Sequence, residues 1–490
     1  MTTTRVRPES APAMEQLPVP PLRTSREIQG NVLAAFNKDH MAFRYMQFSE
    51  DKTLARGWLS AILNTVSVTA DVEDFNEEFS LGRRAYGRDP DKQATWVGVS
   101  LTYAGLSTVV DDAKQLEADL ENFPQFVKGA AASAGRLGDT GDSDPENWLF
   151  GSPGTGAVVH AVLLVASDSK AALDAKLLNI EAADGAHRVT LVHQDDGETL
   201  PGDLKGHEHF GYKDGISQPG VRDFHREDPG NAGHRDNRPG AKLLAPGEFV
   251  FGYDTEPHST HRTGPAWMKD GSLQVVRRLS QDVLGWRKAV TEQTRNFQPG
   301  LTAEELGACL VGRELDGTPL AKPSDPLKGL GGDANDFDYA NDTRGGVTPC
   351  AAHIRRTYPR AGMGERGSKV ESHRLMRRGI PYGPVVEEDA AKDRGLMFVC
   401  YGTSLDEQFE FVQADWSNAK GFVPGEPTAP NCIDKVTGPE GRGRIELDRG
   451  PKGDIANMAQ FVTTKGMVYA FTPSLTTLRH LAAGDPLPRS

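Results

Sequence analysis

The sequence predicts an α+β protein made of two halves that share one βαβ grammar. Three observations predict it. Val97, Val99, Leu101 and Tyr103 alternate with Gly98, Ser100 and Thr102, the period of two expected of a half-buried strand. The apolar run Ala157 to Ala166 is followed by a helical stripe of Leu173, Leu177, Leu178 and Ile180 and then by a short strand, Val189 to Val192, which together form a ferredoxin-like pattern. Strands and helices alternate again after residue 240, with longer interruptions. At 490 residues, 37% of them hydrophobic, the chain can bury a large core and should hold more than one domain or a duplicated one.

Taken in order, residues 1–24 carry Pro8, Pro12, Pro18, Pro20 and Pro21 with no apolar run, so they are expected to form a disordered arm. Arg5 and Arg7 are separated by Val6 and no hydrophobic segment follows, which supports neither general nor twin-arginine export. No stretch approaches the length of a membrane span. The first domain, 25–226, is read as a strand over 41–49, a helix over 51–67, the alternating strand, a helix over 106–123 with Val109, Val110, Ala113 and Leu116 on one stripe, and the strand–helix–strand unit above. The polar, Gly-rich segment 227–240 is the expected linker. The second domain, 241–490, is read as strands over 248–253, 273–279 and 396–401, a helix over 405–416, strands over 461–463 and 467–471, and a closing helix over 475–481. The segment 316–349 is too long for ordinary linkage and is expected to wrap the entrance to a site.

Charge and cysteines narrow the class. Lys and Arg number 55 against 68 Asp and Glu, a net charge of −13, which argues against a nucleic-acid partner and is compatible with cationic substrates or metal ions. Cys309, Cys350, Cys400 and Cys432 are widely spaced and form no CxxC, so they read as reduced thiols and favour a cytoplasmic location.

The most informative stretch is His209-Phe210-Gly211-Tyr212-Lys213-Asp214-Gly215-Ile216-Ser217-Gln218-Pro219. Asp214 is its one carboxylate, set between glycines, and the candidate for acid–base chemistry. Gly211 and Gly215 permit positive φ and close approach of a flat ligand, although an Asp-Gly turn between strands would explain the pair as well. Far downstream come Ala352-His353-Ile354-Arg355-Arg356-Thr357-Tyr358-Pro359-Arg360 and Leu375-Met376-Arg377-Arg378-Gly379-Ile380-Pro381-Tyr382-Gly383. In that order the three motifs resemble the dye-decolorizing peroxidases. Weaker echoes, among them Ile28-Gln29-Gly30-Asn31, Pro246 to Tyr253 and Gly395 to Tyr401, extend the resemblance over nearly the whole chain. The long form is most similar to the larger bacterial subgroup.

The resemblance implies two ferredoxin-like domains with packed antiparallel sheets, of the dimeric α+β barrel type, and one haem b per chain held mainly by the second. It implies hydrogen peroxide as oxidant, a ferryl intermediate, and dyes and phenolic compounds as reductants, with Mn(II) added in multifunctional members. His353 takes the place of the proximal iron ligand, Asp214 that of the distal proton relay and Arg377 that of the distal guanidinium, with Arg378 and Arg374 as alternatives. Arg360 is a candidate partner for a haem propionate, Gly215 and Ile216 lie beside the cofactor, and Leu396 and Phe398 form a distal apolar wall unless they are ordinary core. Gly379 stands where some members carry an asparagine, and Asp434 is a candidate for the acid behind the proximal histidine. His207 and His209 are expected to be structural. Tyr339, Tyr358, Trp267, Trp286 and Trp416 are the aromatics available for radical relay. Two other readings stay open, a non-enzymatic haem carrier or sensor and a haem-free scaffold of the same fold, as does a homo-oligomer.

Overall fold

The computed structural model describes residues 19–87, 91–261, 263–297, 300–321, 335–360, 369–419, 433–434, 436–438, 441–445 and 453–489. Among the described residues, eight antiparallel strands close into a barrel, and a ninth, two-residue strand, Met376–Arg377, pairs with Tyr401 and Cys400 in the same sheet. The first half contributes β1 (His40–Gln47), β2 (Thr95–Leu101), β3 (Ala161–Ser167) and β4 (Thr190–Glu198), ordered β4-β1-β3-β2. The second contributes β5 (Ser272–Gln281), β6 (Ile380–Tyr382), β7 (Gly395–Gly402) and β8 (Val462–Thr472), ordered β6-β7-β5-β8. Each order is that of a ferredoxin-like sheet. Two thin seams join them. Phe471 pairs with Leu101 between β8 and β2, and Tyr382 pairs with Gly197 between β6 and β4.

Closure buries both faces of the strands. Phe43 and Tyr45 of β1, Val162 and Leu164 of β3 and Met397, Val399 and Tyr401 of β7 share the interior cluster. Ala42, Met46, Leu163 and Val165 face outward onto Trp58, Leu59 and Ile62 of the helix Lys52–Leu63. This corrects the half-buried reading of β2, where Val97 through Leu101 are all buried and Tyr103 already starts a helix. An alternating pattern whose second set is Gly and Ser reads as solvent-facing until a neighbouring layer covers it.

Other boundaries differ for local reasons. The helix expected over 106–123 is two, Tyr103–Val109 and Ala113–Asp119, because Val110 is extended and Asp112 caps the second by accepting from Gln115 N–H. Residues 246–253 form no strand. Pro246–Glu248 is a 3-10 turn, and a Cβ at Gly247 would lie 2.3 Å from the Tyr253 carbonyl oxygen. The two short strands expected at 461–471 are one, β8, with a bulge between Thr464 and Gly466. The segment 405–416 is helical but under-wound into π turns, Leu405–Phe409 and Val412–Ser417. Within 227–240, Glu227–Asp228 and Asn231–Arg235 pair as a small hairpin. At the N-terminus Pro21–Thr24 is ordered as a 3-10 turn with Leu22 buried, while residues 1–18 of the expected arm lie outside the described residues, as does the middle of the 316–349 loop. Cys309 and Cys400 are buried free thiols, Cys350 is buried, and Cys432 lies outside the described residues. No described helix is long and apolar enough to cross a membrane.

Candidate active site

A cleft of about 1540 Å³, its open mouth included, lies against the outer face of the second sheet, and every residue lining it belongs to position 208 or later. Sequence alternation along β7 makes the wall. Met397 and Val399 point into the barrel, so Leu396 and Phe398 point the other way and line the cleft. The π turns add Phe409, Val412 and Gln413 to it. Inserted residues in a helix re-aim its side chains, which is why π turns concentrate at functional sites.

His353 opens a short helix, His353–Thr357, on the margin of this cleft. Its Nδ1 lies 2.7 Å from Oδ2 of Asp434, whose side chain is fully buried and also accepts from the Thr437 hydroxyl (2.8 Å) and the Val436 N–H (2.8 Å). Burial disfavours a charged imidazole here, but the charge and hydrogen bond of Asp434 outweigh it and hold the His353 pKa above its ordinary value. With Nδ1 engaged, Nε2 is the ring nitrogen left for a ligand bond.

The same cleft holds a carboxylate–guanidinium pair. Arg377 Nη1 donates to Asp214 Oδ1 at 2.9 Å, and the Gly215 N–H donates to that same oxygen at 2.6 Å. Gly215 holds φ +76°, so it shapes the carboxylate while Ile216 lines the cleft. Burial would raise the Asp214 pKa, but the charge and hydrogen bond of Arg377, the Gly215 N–H and the charge of His353 together hold it below the usual carboxylate value. Gln218 ties the two motifs together: its Nε2 donates to the Arg377 carbonyl (3.1 Å) and its Oε1 accepts from the Arg377 N–H (3.2 Å).

The alternatives to Arg377 separate cleanly. Arg378 is turned away, donating to the carbonyls of Asn31, Val32 and Leu33. Arg374 lines the cleft with its guanidinium 3.7 Å above the Tyr358 ring. Arg360 lines it too, but its Nη1 donates to the Asn335 and Phe337 carbonyls and its Nη2 to Asn335 Oδ1. It braces residues 335–337 first of all. A Cβ at Gly379 would meet the Met397 carbonyl oxygen at 2.9 Å, so that position accepts no larger side chain without movement.

His209 Nε2 donates to the Tyr382 carbonyl (2.9 Å) and is buried, whereas His207 is partly exposed. Tyr339, Tyr358, Trp267, Trp286 and Trp416, the aromatics named for radical relay, are all buried, and Tyr358 lines the cleft. Sequence reasoning missed Gln218, Glu208 and Arg277. Glu208 borders the cleft and burial pushes its pKa up to about 7. Arg277 reaches the cleft from β5, where it reads as one charge in a core strand, and its partner Asp139 comes from the other half of the chain.

An imidazole fixed by a buried acid, sharing one apolar cleft with a carboxylate and a guanidinium, is the equipment a haem peroxidase requires. Comparison with known proteins agrees with that class. Residues 27–201 match the DyP dimeric alpha+beta barrel domain and residues 253–423 the Dyp-type peroxidase C-terminal domain. A dye-decolorizing peroxidase of Mycetinis scorodonius is 30% identical over 92% of this chain and 86% of its own. The multifunctional dye peroxidase DyP2 of an Amycolatopsis species is 31% identical over 93% of this chain and 95% of its own. A solved variant of the Pleurotus ostreatus dye-decolorizing peroxidase superposes with a TM-score of 0.77 at 28% identity, covering 94% of this chain and 100% of that one. The chain belongs to the dye-decolorizing peroxidase family, whose members are haem-dependent, and it is an enzyme that takes hydrogen peroxide and a reducing substrate.

Proposed function

We propose that the chain binds one haem b in this cleft, with His353 Nε2 as the iron ligand, and uses it to oxidise dyes and phenolic compounds at the expense of hydrogen peroxide. The single observation that carries the reading is the convergence of His353–Asp434 and Asp214–Arg377 on one cavity. The fit is chemical as well as spatial. Leu279, Leu396, Phe398, Phe409 and Val412 offer apolar walls to a flat macrocycle, and Arg360 and Arg374 border it as partners for its carboxylate edge.

Bound haem supplies the redox chemistry, passing the two oxidising equivalents of peroxide on to reductants. The protein supplies placement and proton handling. Asp434 fixes the His353 tautomer and orientation through Nδ1 and raises the basicity of Nε2. Both hydrogen bonds to Asp214 fall on Oδ1, which leaves Oδ2 to take the proton from hydrogen peroxide and return it to the oxygen that departs as water. Arg377 holds Asp214 ionised and stabilises negative charge developing on the peroxide oxygens.

The test is the optical spectrum of the haem-loaded protein before and after one equivalent of peroxide, followed by turnover with a dye, a phenol and Mn(II) in parallel. A Soret band that shifts within the mixing time and returns on addition of dye supports the reading, and an unmoved band refutes it. Mn(II) is assayed beside the organic reductants because, among the described residues, no three His, Cys, Asp or Glu side chains gather to receive it. The buried free thiols at Cys309 and Cys400 support a reducing, cytoplasmic setting as part of the same proposal.

A further inference from the structure

Asp214 stands at the end of a turn that its own glycines cannot hold. Gly211 at φ +102° and Gly215 at φ +76° flank it, and glycine adds freedom without adding a lock. The turn does contain a lock, six residues before the carboxylate. Glu208 accepts from the Phe210 N–H at Oε2 (2.9 Å) and from the Tyr212 N–H at Oε1 (2.9 Å), while its own N–H donates to the Tyr212 carbonyl (3.0 Å) and its carbonyl accepts from the Gly211 N–H (2.9 Å). The side chain of Gln281, at the end of barrel strand β5, donates to Glu208 Oε2 at 2.6 Å. The turn closes where the Asp214 N–H donates to the Gly206 carbonyl (2.9 Å). A continuous path of hydrogen bonds therefore runs from the barrel wall through Gln281 and Glu208 to the backbone that presents Asp214.

The geometry points to Glu208 as a positioning residue for the peroxide reaction, its carboxylate pegging the 206–214 turn to β5 and so setting where Asp214 stands beside Arg377. The inference rests on the proposed role of Asp214 as proton acceptor. Glu208 serves this purpose better than an amide would because both of its oxygens accept, and the three N–H groups aimed at them have no use for a donor. Burying a carboxylate is costly, and the environment shows that cost by pushing its pKa up to about 7; a hydrophobic residue would pack there more cheaply but could not hold the turn.

The test is a double-mutant cycle on the haem-loaded enzyme, with Glu208→Gln, Asp214→Asn and the pair, read by stopped-flow rates of reaction with peroxide. Gln presents an NH₂ to at least one N–H, so the turn loosens. A misplacement of order 1 Å at a reacting group costs about 10²-fold. The expected result is a 10- to 100-fold slower peroxide step in Glu208→Gln, no further slowing when Asp214 is already Asn, and a fall in kcat/KM for peroxide with kcat/KM for dye unchanged. In the haem-free chain, hydrogen exchange at the Phe210 and Tyr212 amides should speed up in Glu208→Gln. Equal slowing in both backgrounds, no slowing at all, or unchanged exchange overturns the proposal. Asp214→Asn reacting at the wild-type rate strikes down the distal reading itself, a separate outcome. If Glu208→Gln does not fold, Gln281→Met removes one of the three bonds to that carboxylate and is carried through the same cycle, where slowing confined to the Asp214 background supports the proposal and its absence overturns it.

Discussion

Replacing Asp214 by Asn isolates proton transfer from everything else the residue does. Both of its hydrogen bonds, from Arg377 Nη1 and from the Gly215 N–H, fall on Oδ1. An asparagine with its amide oxygen in that position keeps both and places an NH₂ where Oδ2 was, so the turn, the pairing geometry and the cleft volume persist. What disappears is the ability to accept a proton. General-base contributions run to about 10²–10⁴-fold, equivalent to roughly 2.7–5.5 kcal/mol of barrier. Stopped-flow mixing of haem-loaded enzyme with peroxide should therefore show a second-order rate constant reduced by at least about 10²-fold at neutral pH. Haem content and melting temperature should stay at wild-type values. A rate within a factor of three of wild type, with haem retained, refutes the assignment of the base.

The remaining expectations follow from the same contacts. His353→Ala removes the imidazole held by Asp434 and should leave the purified protein with little haem after gel filtration; a wild-type ratio of Soret to protein absorbance would remove His353 from the site. Arg377→Leu takes away the cation that offsets burial at Asp214, so its carboxyl pKa rises and the acid limb of the peroxide rate should move to higher pH; an unmoved limb contradicts the pairing. Arg378→Ala strips the Asn31, Val32 and Leu33 carbonyls of their donor and should cost on the order of 3 kcal/mol, read as a lower denaturant midpoint, and an unchanged midpoint would contradict it. Glu248 is fully buried with its pKa pushed up to about 7, so its contribution to stability is complete below the unfolded value near 4.5 and is lost as pH rises through 7. Glu248→Gln should accordingly gain on wild type in unfolding free energy between pH 5 and pH 8, by a few kcal/mol at about 1.36 kcal/mol per tenfold change in proton affinity, read from denaturant midpoints across that range. A difference that is flat with pH would show that another group sets the slope.

Strands and chemistry were legible in the sequence to different depths. The apolar stretches of β3, β5 and β7 and the order of elements showed a ferredoxin-like pattern repeated in the second half, because local propensity and the native pairing agree there, and the resemblance completed it to two ferredoxin-like units. Asp214, His353 and Arg377 were readable because each sits in a motif with glycine or arginine neighbours that have little other reason to be together. Asp434 was only one acid among 68 Asp and Glu, since nothing local marks a carboxylate whose partner arrives from 81 positions earlier in the chain. Glu208 hid between two histidines, and Arg277 hid in a core strand. The π turns at 405–417 were invisible because the period of the apolar residues there is close enough to 3.6 to read as an ordinary helix. Burial on both faces of β2 was hidden for the same kind of reason: it depends on barrel closure, which no window of residues contains.

The hold of Arg378 on residues 31–33 has a consequence for how this enzyme tolerates change. Every group lining the cleft comes from position 208 onward, so the first 200 residues look dispensable for chemistry. They are not, because Arg377 is covalently next to the residue they grip, so that grip helps set the path of its backbone. The N-terminal half acts as a jig for a cleft it does not line, through the helix Gly30–Leu33 at Arg378 and through Asp139 at Arg277. Substitutions near Asn31 should thus behave as active-site lesions in an assay and as remote ones on a map, and a fragment carrying only the cleft-lining residues would keep the pocket's composition while losing the alignment that makes it a catalyst.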